Sequence, residues 1–345
     1  MPGSVTADRA FCRDMLPRVS RTFALCIRFL PPQLDYAVLV AYLLCRIADT
    51  IEDSVRLSPS DKERLLAHFR SCLDQAGPDA APVLAPPFAG GTQDDERLAA
   101  EADAVLREFR RLPAAQQDAI RPWAQEMCSG MAEFARRPPG RPGQLEALSS
   151  VDDLDRYCYY VAGTVGHLLT GLFWLHHGRG SERRLENLKG LATSFGLGLQ
   201  LTNIIKDLAD DRRRGWSFVP RQLTRSAGIE PEQMQDRAYG DASRRVMNQL
   251  IEKANAHLHD ALDYCTALPR SQYRIRLFCL TSLFFAVRTL RRARLDPGLL
   301  EPRHKVKISR AEVYRTVLVT HVIAPVDGLV RAYFRHLEGP VRATA

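Results

Sequence analysis

Apolar residues recur at three- and four-residue spacing along most of this 345-residue chain, the interval that lines one face of an α-helix. Alternating apolar and polar runs closed by turn pairs, the mark of half-buried strands, form no convincing series. The reading is therefore all-α. Two Pro/Gly-rich stretches interrupt the helical pattern: Gly77–Gly91, with Pro78, Pro82, Pro86 and Pro87, and Arg136–Gly143, with Pro138, Pro139 and Pro142. Both read as loops between helices. Composition does not change across either stretch, and no repeat of solenoid period is present. One domain is expected over residues 1–345, with its core at about 11–330 and a frayed tail at 331–345. A chain of this length can bury a large core and a deep pocket.

Charge and cysteines narrow the function only in part. The 48 Lys+Arg against 40 Asp+Glu leave a formal charge of +8, which suits a polyanionic partner such as nucleic acid, an acidic membrane surface or a diphosphate. The eight cysteines are scattered through apolar surroundings with no Cys-x-x-Cys pair, as expected of buried free thiols rather than a zinc site or a disulfide framework. His176 and His177 adjoin, so on a helix they diverge by about 100° and make a poor metal pair. The longest clean apolar run, Ala37–Cys45, is about half of the ~20 residues that cross a bilayer. No basic-then-apolar leader opens the chain. A cytoplasmic protein is expected, with peripheral membrane contact left open.

Two helical segments carry the chemistry. In DYAVLVAYLLCRIADTIEDS, residues 35–54, an apolar helix acquires Tyr42, Arg46, Asp49 and Asp53 within about 60° of one another, with Glu52 alongside. Carboxylates on a helix that is apolar upstream nearly all round need cations or a metal as partners. In FGLGLQLTNIIKDLADDRRRGWSFVP, residues 195–220, Gln200, Asn203, Asp207 and Asp211 again share a stripe about 80° wide. Carboxylate and amide oxygens are hard ligands suited to Mg²⁺, which takes one or two carboxylates together with waters and substrate phosphates. Facing stripes of this kind would hold a diphosphate through magnesium and stabilise its departure, while apolar walls keep water from a carbocation.

These segments resemble those of the squalene and phytoene synthases, which join two prenyl diphosphates head to head. The matching pieces run in order through SRTFA (20–24), YLLCRIADTIEDS (42–54), SGMAEF (129–134), YCYYVAGTVGHLLTGLF (157–173) and LQLTNIIKDLADDRRRGWSFVP (199–220). The resemblance implies a helical bundle of the class I isoprenoid-synthase type around a central apolar cavity. It implies Asp49, Glu52, Asp53, Asn203, Asp207 and Asp211 as magnesium ligands, and Arg46 and Arg21 on diphosphate with Ser20, Phe23 and Tyr42 beside them. Tyr157 resembles the family's acid/base or cation-stabilising tyrosine, and Val161, Ala162 and Gln200 would line the channel. The glycines at 163 and 166 fit the residues themselves, because glycine within a helix marks close approach of a backbone or ligand.

Within that family some members reduce the intermediate with NADPH and others do not. RLFCLTSLFFAVRTL (276–290) and HKVKISR (304–310) are similar to segments of the reducing members, which implies Lys206, Lys307 and Arg310 as cofactor contacts. Ser309 stands where an arginine is expected, and Ser282 at a proline position. The implied activity is magnesium-dependent condensation of two farnesyl diphosphates to presqualene diphosphate, then NADPH-dependent reduction to squalene. NADPH-independent dehydrosqualene or phytoene synthesis is the alternative, and a non-catalytic helical nucleic-acid-binding protein a remote one that leaves the two acidic stripes unexplained. The C-terminal anchor of the family's eukaryotic members is not matched, so a soluble enzyme is expected.

Overall fold

The structure, a computed structural model, describes residues 5–74, 77–137, 140, 144–178 and 181–339. In chain order its first helices are α1 (Val5–Val19), α2 (Arg21–Ile27), α3 (Leu34–Asp53), α4 (Pro59–Cys72), α5 (Ala81–Phe88), α6 (Asp94–Ala100), α7 (Ala102–Arg111) and α8 (Ala114–Ala135). Then come α9 (Val151–Cys158), a π-helical turn (Tyr159–Gly163), α10 (Thr164–His177), α11 (Glu182–Arg213) and α12 (Arg221–Ser226). The chain closes with α13 (Gly240–Ala267), α14 (Tyr273–Leu295), α15 (Arg310–Ile323) and α16 (Asp327–Glu338). The only strands among the described residues are β1 (Glu146–Ala147) and β2 (Trp216–Ser217), paired in parallel. The fold is all-α, as the periodicity requires.

The chain forms two compact units, Met1–Pro138 with Thr164–Lys189, and Pro139–Gly163 with Gly190–Ala345. Composition gives no sign of this division, because two of its crossings fall inside helical stretches, at 163/164 and within α11.

In the first unit α3 is the central element, packed against α1, α2, α4, α6, α7, α8 and α10. Pro31 and Pro32 prevent an earlier start, and Ser54, extended at ψ 120°, ends it. Apolar side chains from Leu34 to Ile51 are buried around most of its circumference, which fixes the helix firmly and carries Arg46, Asp49, Glu52 and Asp53 on its last turns. In the second unit α14 has the corresponding role, packing on α13, α15 and α16. Its Arg276 side chain is fully buried and pins the α15–α16 corner: Nε donates to Ala324 O at 3.0 Å, Nη1 to Leu268 O at 2.8 Å and Nη2 to Asp327 Oδ1 at 2.5 Å.

Two local expectations are corrected. The stretch Gly77–Gly91 contains α5: Pro82 occupies the first turn, where no N–H is needed, and Pro86 and Pro87 come as the helix ends. The predicted tail is ordered over 331–338, because α16 buries Val330, Phe334 and Leu337 before Gly339 stops it at φ 78°. Residues 340–345, and Pro138, Pro139 and 141–143 of the second predicted loop, lie outside the described residues. All eight cysteines are buried free thiols.

Candidate active site

In the first unit, Ser20 caps α2, its Oγ accepting from the Phe23 N–H at 3.2 Å. That cap orients Phe23, whose ring lies 5.5 Å from that of Tyr42 on α3. Burial pushes the Tyr42 phenol up to about 12, against a lowering hydrogen bond with Ser20 and the Arg46 charge. Arg21, the first residue of α2, is exposed.

One turn on from Tyr42, Arg46 grips Asp95 of α6 in a two-point contact, Nη2 to Oδ2 at 2.6 Å and Nε to Oδ1 at 3.3 Å. Its Nη1 lies 3.9 Å from Asp49 Oδ2. Burial works against the Arg46 charge, but Asp49 and Asp95 outweigh it and hold the guanidinium more firmly protonated than usual. Asp49 feels the converse. Burial raises its carboxyl, Arg46 opposes, and the like charges of Asp53 and Asp95 add to the rise, to about 7. The side chain is sunk among its neighbours rather than sealed, since 33% of it remains open to solvent. The buried Lys62 donates to the Glu52 backbone carbonyl at 2.5 Å and fastens the end of α3 to α4.

In the second unit, Tyr157 lies in the last turn of α9, 4% exposed, with its ring stacked on Phe218 at 4.5 Å. Phe218 in turn stacks near Trp216 at 6.3 Å. The π-helical turn that follows carries Val161 and Ala162, both half-buried. π-Helical turns of this kind recur at functional sites. The turn is wedged against α11: a Cβ on Gly196 would sit 2.2 Å from Ala162 O. Gly163 is buried and meets Tyr159 and Leu197 instead.

On α11, Gln200 is half-buried, Asn203 exposed and Asp207 partly exposed in an ion pair with Lys206. Asp211 is buried at 4% and accepts from Arg214 at 2.6 Å. Asp210 pairs with Lys305 at 2.5 Å and with Arg213; burial opposes the effect, yet these cations hold its carboxyl below the usual range. Lys307 and Arg310 are exposed. Ser309 caps α15 in a reciprocal arrangement with Glu312, Ser309 Oγ accepting from the Glu312 N–H at 3.3 Å and Glu312 Oε2 from the Ser309 N–H at 2.7 Å. A helix start needs such a residue, which gives Ser309 a structural role.

Among the described residues, no three His, Cys, Asp or Glu side chains converge as a ready metal cluster. Magnesium does not require one, since about one or two carboxylates with waters and phosphates suffice. The oxygen-only donors fit a hard cation, and the crowding that raises Asp49 is relieved by positive charge. Asp95 and Phe218 were not anticipated from sequence. Phe218 falls within the aromatic run after the second acidic stripe, whereas Asp95 lies 49 residues from Arg46 with no periodic signal to join them.

The family described as squalene/phytoene synthase matches residues 16–312. A squalene synthase of Candida albicans is 31% identical over 338 residues, covering 94% of this chain and 70% of that protein. Squalene synthase 1 of Arabidopsis thaliana is 29% identical over 321 residues, covering 92% and 72%. Among solved structures, TcSQS determined with a bound ligand superposes with a TM-score of 0.80 at 28% identity, covering 94% of this chain and 90% of that one. A ligand-bound dehydrosqualene synthase shares the fold, with a TM-score of 0.62 at 19% identity.

Proposed function

The chain belongs to the squalene/phytoene synthase family, and from that premise we propose that it is a prenyltransferase that makes squalene. Two farnesyl diphosphates are joined head to head to presqualene diphosphate with loss of one diphosphate and a proton. Presqualene diphosphate then loses the second diphosphate, rearranges and takes a hydride from NADPH. The observation that carries the reading is the crowding of Asp53 and Asp95 on Asp49, with Arg46 as the cation beside Asp49 and Asp95, a net negative cluster that a divalent cation would offset.

Asp49, Glu52 and Asp53, and Asn203, Asp207 and Asp211, are the residues that would hold magnesium, which neutralises diphosphate charge when bound. Arg46 and Arg21 bind diphosphate oxygens, and for Arg46 this means exchanging Asp95 for the substrate. Tyr157, held flat against Phe218, steadies developing positive charge or takes the proton lost on ring closure. Lys206, Lys307 and Arg310 supply the positive charge for the NADPH phosphates.

Asp53→Asn and Asp207→Asn are expected to reduce turnover by at least about 10²-fold, the scale on which loss of a group aimed at transition-state charge is felt, while leaving the helical circular dichroism intact. Wild-type turnover in either variant removes the assignment of that stripe. Products formed from farnesyl diphosphate and Mg²⁺ with and without NADPH test the second step. Squalene appearing only with NADPH is the expected result; the same hydrocarbon in both reactions places the enzyme among the non-reducing members.

A further inference from the structure

α15 is inside out. At about 100° per residue, Thr316, Thr320 and Ile323 share one side of the helix and are buried, the two threonines at 0% exposure. Their hydroxyls are satisfied within the helix, Thr316 Oγ1 donating to Glu312 O at 2.6 Å and Thr320 Oγ1 to Thr316 O at 2.7 Å. The opposite side presents Tyr314, Leu318 and Val322, four residues apart and 74%, 68% and 70% exposed. These three fall within about 80° of one another. Apolar exposure continues through Val326 at 47% and Leu329 at 50%, where the chain turns into α16. A helix that turns threonine inward and leucine outward is apolar toward something other than its own core.

The charges around the strip identify the partner. Arg310 lies about 40° beyond one edge and Arg315 about 20° beyond the other, both exposed and in no ion pair among the described residues. Residues 303–339 contain seven Lys/Arg and three Asp/Glu. Two of those acids are already neutralised, Glu312 by Arg292 and Asp327 by Arg270 and Arg276, and the third, Glu338, is hydrogen-bonded to His259. The outward face is thus an apolar strip flanked by uncompensated arginines. No described helix is long and apolar enough to cross a membrane.

We propose that α15 and the first turn of α16 dock on an anionic lipid surface. The strip sinks to the level of the acyl boundary, Tyr314 sits at the headgroups with its hydroxyl in water, and Arg315 meets lipid phosphates. A second copy of the chain fits less well, because five side chains fall short of the about 20–30 residues a side of a stable interface, and pairing would bring two arginine rims together. The proposal stands apart from the catalytic reading, since binding to lipid needs no substrate.

The test is co-sedimentation of the full chain with phosphatidylcholine vesicles, with and without phosphatidylglycerol, at low and high salt. Wild type is expected to sediment with the anionic vesicles and to be released by salt. Leu318→Asp with Val322→Asp is expected to weaken binding about tenfold or more, and Arg315→Glu about fivefold. Circular dichroism and thermal melting check that each variant is folded, since none of these side chains is buried. Wild type that ignores anionic vesicles, or equal binding by the Leu318→Asp/Val322→Asp variant, overturns the proposal. So does light scattering that finds a dimer dissolved by those substitutions with vesicle binding unchanged, which assigns the strip to a second copy.

Discussion

Asp49 illustrates how a single carboxyl can work against the fold that positions it. Its pKa in the folded chain is about 7 against an ordinary 3.8, because burial and the charges of Asp53 and Asp95 outweigh Arg46. A group raised on folding binds its proton more tightly in the native state. Its favourable contribution is therefore complete below about pH 4 and is lost as pH rises through about 7. Asn cannot ionise, and Arg46 keeps Asp95 as its partner. In metal-free buffer Asp49→Asn should thus melt above wild type at about pH 8, by on the order of 1 kcal/mol once solvent screening of the partly open side chain is allowed for. The difference should vanish toward pH 4, while turnover is lost throughout. Thermal melts across that range decide it, and a variant less stable than wild type at pH 8 would show that Asp49 is not strained. The stripe that contains Asp49 was legible in sequence from angular spacing alone. Its strongest neighbour, Asp95, was not, because helical periodicity says nothing about which later helix a side chain will meet.

At the scale of the element, the crossing of α11 over the π-helical turn sets how closely two helices approach. The sequence marks Gly163 and Gly166 as points of close contact, and Gly163 is buried against Tyr159 and Leu197. The tightest contact belongs to Gly196, whose added Cβ would lie 2.2 Å from Ala162 O and 2.4 Å from Ala162 C. Backbone cannot step aside as a side chain can. Gly196→Ala should therefore cost about 1–3 kcal/mol. Gly190, on the same helix with nothing within 4 Å, is the control: its alanine variant should gain about 0.4–1 kcal/mol from the stiffer unfolded chain. Equal melting temperatures for the two variants would sink the argument. The same limit on sequence reading governs α16. Residues 331–338 read as tail from their place late in the chain, yet Phe334 and Leu337 fall at helical spacing with the core residue Val330 and are buried. Ser309 likewise has its meaning in the helix it starts.

Across the whole molecule, charges far apart in sequence decide how stability responds to acid. Asp8 of α1 is 3% exposed and accepts from Arg107 at 2.8 and 2.7 Å and from Arg111 at 2.8 Å, both on α7. The Arg107 hydrogen bonds are the main reason its carboxyl stays below the usual range, against burial and with help from Arg111. In the second unit Asp327 is held low in the same sense, where Arg270 and Arg276 overcome burial. A carboxyl depressed on folding contributes stability that is present above its unfolded value and is lost as pH falls through the folded one. This sign is opposite to that of Asp49, so the acid limb of the stability curve belongs to the paired acids. Asp8→Asn should lower stability at neutral pH by about 1.5–3 kcal/mol, the range for hydrogen bonds to charged groups. The loss should shrink steadily below about pH 4 as wild-type Asp8 itself becomes protonated. Chemical denaturation at a series of pH values measures both arms, and a loss that stayed constant down to about pH 2 would mean that Asp8 acts by packing rather than by charge. The Asp8 pairs were illegible in sequence because the partners lie 99 and 103 residues away. The 48 cations and 40 anions of the composition become determinants of stability only after the helices bring particular ones together.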